Sequence, residues 1–104
     1  MKTKIQQGDV LLKRLNTIPS GVKTELSRGQ LVLAEGEVTG HYHGINEQNS
    51  SLFQIGDMVV LDLKNDATLT HQEHGAIAVE AGIWEVGRVQ EYDYFADMAR
   101  QVAD

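Results

Sequence analysis

The chain contains no cysteine, which excludes disulfides, thiolate nucleophiles and the structural zinc sites built on cysteine. Any metal it binds must be taken by nitrogen and oxygen. Proline occurs once, at Pro19, against ten glycines, so glycine supplies most of the punctuation. Long apolar runs are missing too. The longest aliphatic stretch is "MVVL" at 58–61, far short of the roughly 20 residues that span a bilayer, and the opening "MKTKIQQGDV" lacks the apolar stretch of a signal peptide. No membrane partner and a cytoplasmic location are expected. Positive charge is also scarce: 9 Lys and Arg stand against 15 Asp and Glu, a net charge of −6. Such a field repels phosphate backbones and no basic stripe offsets it, so no nucleic-acid partner is expected.

What is present describes a small folded protein. At 104 residues with 41% apolar content, the chain can enclose one core, so residues 1–104 read as a single domain. Short runs rich in Val, Leu and Ile lie between the glycines, the pattern of antiparallel strands. "DVLLKRL" (9–15) reads as a strand, "NTIPSG" (16–21) as the loop after it, and "QLVLAEGEV" (30–38) as a strand interrupted at Gly36. "NEQNSS" (46–51) reads as a polar loop. "LFQI" and "MVVLDL" form hairpin arms around Gly56 and Asp57, "KNDA" (64–67) is the next turn, and residues 76–93 hold one or two strands bent around Ala81 and Gly82.

The tail differs. In residues 93–104, Phe95, Met98, Ala99 and Val102 recur every three or four positions behind a capping Asp93, which predicts a short C-terminal helix. The expected fold is mainly β, a small antiparallel β-barrel or jelly-roll-like sandwich carrying that helix, because antiparallel sheets escape their edges by closing or stacking. A chain this short gains core by self-association, so a homo-oligomer is expected.

Chemistry concentrates in the histidines. All four fall into two short clusters beside glycines, "GHYHG" (40–44) and "HQEHG" (71–75). On a strand, residues two apart share a face, so His41 and His43 project together and Tyr42 away from them. His71 and His74 are three apart and converge only where the chain turns. Either both join one site with the first pair, or one joins and Glu73 or Glu47 supplies a further ligand. Two or three imidazoles with a carboxylate suit Zn, Fe, Mn, Ni or Cu in open sites. Glu47 and Glu73, each close to a histidine in an expected turn, are also the candidates for a general base. No phosphate loop, HExxH helix or GxSxG elbow is present.

The stretch "GEVTGHYHGINEQNSSLFQIG" (36–56) resembles the first motif of the cupins, small jelly-roll barrels in which a glycine, an HxH pair, a glutamate and a second glycine occur in that order, here Gly36, His41, His43, Glu47 and Gly56. The first interval is one residue shorter than usual and the last two longer. The resemblance implies His41, His43 and Glu47 as metal ligands, with a fourth histidine from a second motif, for which His74 or His71 is the available match. That motif's Pro-x-Gly turn and its following Asn are absent. Reaction type is not implied, since cupins include dioxygenases, isomerases, decarboxylases and binding proteins.

The expected function is therefore a divalent-metal-binding β-barrel. His41, His43 and His74 would bind the ion, with His71 or Glu47 completing the set. If catalytic, it would act on a small polar or anionic ligand. The competing expectation is a non-catalytic interaction module in which the histidine clusters fix loops.

Overall fold

The computed structural model describes residues 2–36 and 38–89, and every regular element in them is a strand. The elements are β1 (Lys4–Gln7), β2 (Val10–Leu15), β3 (Lys23–Glu35), β4 (Tyr42–Ile55), β5 (Met58–Leu63), β6 (Ala67–Thr70), β7 (Ile77–Val79) and β8 (Gly82–Arg88). They form one antiparallel, nearly closed, barrel-shaped sheet in the order β1-β2-β8-β5-β4-β6-β7, with β3 on the opposite edge of β4. Among the described residues no helix is long and apolar enough to cross a membrane. The helix expected over 93–104 lies outside the described residues.

Two hairpins turn on the same dipeptide. Gly8-Asp9 joins β1 to β2 and Gly56-Asp57 joins β4 to β5, each between directly paired residues, Gln7 with Val10 and Ile55 with Met58. In both, glycine stands first with positive φ, 56° and 58°, a conformation two-residue hairpins demand and side chains resist.

β4 is the central strand. Gly44 and Ile45 pair with β6, whereas Ser51–Ile55 pair with β5, so residues 46–50 lie where one partner gives way to the other. That crossing explains why "NEQNSS" runs as extended chain rather than as the expected loop. The β3 register jumps there from Asn46 to Ser51, and side chains make up the lost ladder. Ser50 Oγ donates to the Glu47 carboxylate and accepts from Lys64 N at 2.8 Å. Strand preference at this position follows from sheet context more than from residue type.

Alternation along the strands buries one face. Leu12, Leu31, Ile45, Leu61, Leu69 and Trp84 are all essentially inaccessible, each contributing about 1.5–3 kcal/mol on burial. Trp84 keeps its indole N–H satisfied by Glu80 O at 3.0 Å and carries the Arg14 guanidinium 4.3 Å from its ring.

The strand path ends at β1 and β7, and no ladder joins them among the described residues. Side chains bridge this seam instead. The Gln7 amide nitrogen donates to Leu69 O at 3.0 Å and Gly75 O at 2.8 Å, and Lys2 N donates to Glu80 Oε1 at 3.1 Å. The histidine clusters lie at one end of this seam.

Candidate functional site

The first histidine pair is placed by the β3–β4 connection. Gly36 N donates to His41 O at 2.7 Å and His41 N to Val38 O at 3.0 Å, closing a tight loop that delivers the chain into β4. From there His43 turns inward and is 1% exposed, while Tyr42 turns outward. The second pair comes from the β6–β7 connection, where the chain turns between Thr70 and Ile77. Gln72 Oε1 accepts from Tyr42 N at 2.8 Å, which pins that loop against the start of β4.

All four imidazoles meet. Ring centroids are 4.3 Å apart for His43 and His71, 4.7 Å for His71 and His74, 5.7 Å for His41 and His71, and 5.9 Å for His43 and His74. With Asp9 and Glu73 they line a cleft of about 360 Å³, a volume suited to a small ligand. Of the two geometries left open by the three-residue spacing of His71 and His74, the chain takes the one in which both join the first pair.

Glycines make the convergence possible. A Cβ at Gly8 would fall 2.6 Å from His74 Nε2, and one at Gly36 would fall 2.9 Å from His71 Nε2 and 3.1 Å from His41 Cβ. At Gly8 the positive φ is a second reason for glycine. At Gly36 the reason is the close approach of the His71 ring and of His41 Cβ and its carbonyl oxygen.

The polar contacts are directional. His43 Nδ1 is 2.9 Å from Gln7 Oε1 and its Nε2 is 3.3 Å from Asp9 Oδ1. The second Asp9 oxygen faces Arg88 Nε at 3.6 Å, and Arg88 also donates to Glu35 O. Burial, reinforced by the neighbouring His71, holds the His43 pKa below its ordinary value, with Asp9 opposing the shift. A buried ring among other imidazoles favours the neutral form. His41 Nδ1 is buried and finds no hydrogen-bond partner among the described residues. Glu73 Oε1 stands 3.5 Å from it outside hydrogen-bond geometry, so that approach is only Coulombic.

Glu47 is not brought to the histidines. Its carboxylate is bound by the Ser50 hydroxyl and by Asn65 Nδ2, the latter at 3.0 Å, and these bonds hold its pKa below the usual carboxylate value. It does not line the cleft. Glu73 does. Asp9 and Gln7 are the site residues that sequence reasoning missed. Asp9 belongs to a Gly-Asp turn like the one recognised at 56–57, but no local pattern places that turn beside histidines more than thirty residues away. Gln7 occupies the inward parity of Ile5, and a glutamine at a core-facing strand position was the available signal.

The donor set fits a divalent ion chemically: imidazoles, carboxylates and one orphaned buried nitrogen. Among the described residues no three of these donors already stand in ligating geometry, so holding an ion requires the partly exposed rings to turn. A tetrahedral ion bonded to imidazole nitrogens at about 2.0–2.1 Å would hold neighbouring ring centroids about 5 Å apart, against 5.9 Å between His43 and His74.

A protein-family model described as "Domain of unknown function (DUF8820)" matches residues 6–89, which take in both histidine clusters and most of the sheet, and the chain belongs to that family. No curated protein and no solved structure matches it.

Proposed function

We propose that this member of the DUF8820 family binds one divalent metal ion in the histidine cleft, through His41, His43 and His74 with a carboxylate oxygen from Asp9. The observation that carries the reading is the meeting of all four histidines from two distant segments, at ring separations of 4.3–5.9 Å, with the buried His41 Nδ1 left without a hydrogen-bond partner among the described residues. Packing several imidazoles against one another beside a buried one is unfavourable when they are protonated and gains little when they are neutral. A shared cation turns the same arrangement into a favourable one. The resemblance to cupins supports the HxH pair as ligands; Glu47, engaged with Ser50 and Asn65, is left out of the set.

Nitrogen and oxygen donors suit Zn, Fe, Mn, Ni or Cu. When bound, such an ion supplies Lewis-acid polarisation of a ligand oxygen or a water of lowered pKa. The cleft beside it has room for a small polar molecule. Asp9 and Glu73 line this cleft and no Lys or Arg does so among the described residues, so the metal would be the positive charge that draws an anionic ligand.

A second reading has its own support. The proposed ligands come from the β1–β2 turn, from the start of β4 and from the β6–β7 loop, and so lie across the seam that, among the described residues, side-chain hydrogen bonds bridge. An ion held there would staple the barrel, a structural role that needs no substrate.

Elemental analysis of untagged protein purified without chelator, beside a His41→Ala/His43→Ala variant shown by circular dichroism to be folded, tests the reading. About one equivalent of a single transition metal in the parent, lost in the variant, is expected. No metal in the parent and none taken up on titration would sink it.

A further inference from the structure

We propose that main-chain hydrogen bonds have divided the cleft's histidines by tautomer: His43 presents a bare Nε2 to the metal, whereas His71 keeps its Nε2 proton and donates it to an oxygen atom that the metal takes as a fifth ligand. This rests on the metal reading above and goes beyond it, since it removes His71 from the ligand set and gives it a ligand-binding role.

The assignment for His43 starts at Gln7, which is 2% exposed. Its amide nitrogen lies 3.0 Å from Leu69 O and 2.8 Å from Gly75 O. Carbonyl oxygens only accept, so this end of the amide is the NH₂, and a flipped amide would set its oxygen against both of them. The other end, Oε1, can then only accept. Standing 2.9 Å from His43 Nδ1, it requires the proton on Nδ1, which leaves Nε2 of the neutral ring with an open lone pair. That lone pair faces Asp9 Oδ1 at 3.3 Å. Two acceptors face each other, an arrangement that a cation between them makes favourable. A second-sphere acceptor that fixes the tautomer of a ligating histidine is a common feature of metal sites, and here the Gln7 amide oxygen stands in that place.

His71 is assigned the other way by a group that cannot flip. The backbone nitrogen of Glu73 lies 3.0 Å from His71 Nδ1, and a backbone N–H only donates. Nδ1 is therefore the bare nitrogen and the neutral ring carries its proton on Nε2. Coordination through Nε2 would require moving that proton to Nδ1, against the Glu73 N–H. Nε2 stands beside Gly36, where a Cβ would lie 2.9 Å from it, and both residues line the cleft. The cleft thus contains an imidazole N–H donor next to imidazoles that have lone pairs to give. The chemical class that matches a metal ion flanked by an imidazole N–H donor is a small ligand with an oxygen acceptor, such as a water or a carboxylate.

The test has two stages. Long-range proton–nitrogen NMR of the metal-free protein, at a pH where the rings are neutral, should show His43 protonated on Nδ1 and His71 on Nε2; either ring in the opposite tautomer would overturn the assignment whether or not metal binds. After loading with cadmium, coupling to the metal should appear at His41, His43 and His74, while His71 retains its Nε2 proton. Cadmium coupling at His71 would overturn the proposal and leave metal binding intact. Absence of cadmium uptake would overturn the metal reading and the role of His71 with it.

The donor role is read from cobalt-loaded protein titrated with formate and followed by its visible spectrum. His71→Ala should keep cobalt affinity within a few-fold and weaken formate by about ten-fold or more, the effect of a lost hydrogen bond to a charged group. His71→Gln, whose side-chain amide can donate from near the Nε2 position, should recover most of the loss. Unchanged formate affinity in His71→Ala, or loss of cobalt from it, would refute the role.

Discussion

Replacing Gln7 by Met removes the polar bridge across the barrel seam at nearly constant side-chain size. The three hydrogen bonds lost run to Leu69 O, to Gly75 O and from His43 Nδ1. Gly75 is exposed and its carbonyl can turn to water. Leu69 and His43 are buried at 0% and 1% exposure, so their groups stay unpaired. Leaving a buried polar group unsatisfied costs about 1–3 kcal/mol, so the expected destabilisation of the metal-free protein is roughly 2–4 kcal/mol, a large share of the roughly 5–15 kcal/mol that holds a domain folded. In a domain of this size each kcal/mol lowers Tm by about 4–8 °C. Urea unfolding of the metal-free variant should show a lower midpoint at an unchanged slope. A loss below about 0.5 kcal/mol would refute the claim that this side chain closes the seam.

Gly36→Ala sets a Cβ 2.9 Å from His71 Nε2 and 3.1 Å from His41 Cβ, so it should weaken metal binding at least several-fold with little change in the circular dichroism of the sheet; isothermal titration with zinc checks this. Glu47→Gln should leave metal stoichiometry and affinity unchanged, because Glu47 is bonded to Ser50 and Asn65 away from the cleft; loss of metal in this variant would restore the ligand implied by the cupin resemblance. The lowered pKa of His43 makes acid destabilising in the metal-free protein. With a folded pKa below the ordinary 6.5, the unfolded chain binds the proton first, so this contribution is complete above pH 6.5 and is lost as pH falls through the folded pKa. His43→Gln should flatten that part of a chemical-denaturation pH series, and an unchanged slope would remove burial of His43 as its cause.

The sequence was most legible where local chemistry decides structure. Gly56-Asp57 marks a hairpin because the turn needs positive φ, and strand alternation gives the outward Tyr42 and inward His43 that are found. It was least legible where the decision lies in tertiary contacts. β1 (Lys4–Gln7) and β6 (Ala67–Thr70) are four residues each, too short for a period to stand out, and neither was foreseen. Residues 46–51 carry loop chemistry but run extended, because β5 and β6 share one edge of β4 on either side of them. The site divides in the same way. Its four histidines announce themselves by clustering, whereas Gln7 and Asp9 reach His43 only through the closure of the barrel, and no spacing along the chain encodes that.

The most direct test of the metal centre is X-ray absorption on untagged protein loaded with one equivalent of zinc. A first shell of imidazole nitrogens and oxygen at about 2.0–2.1 Å is expected, with the outer-shell scattering of about three histidine rings, reduced in both His41→Ala and His43→Ala. A spectrum of zinc surrounded only by oxygen at ordinary aqueous distances, unaffected by either substitution, would contradict it.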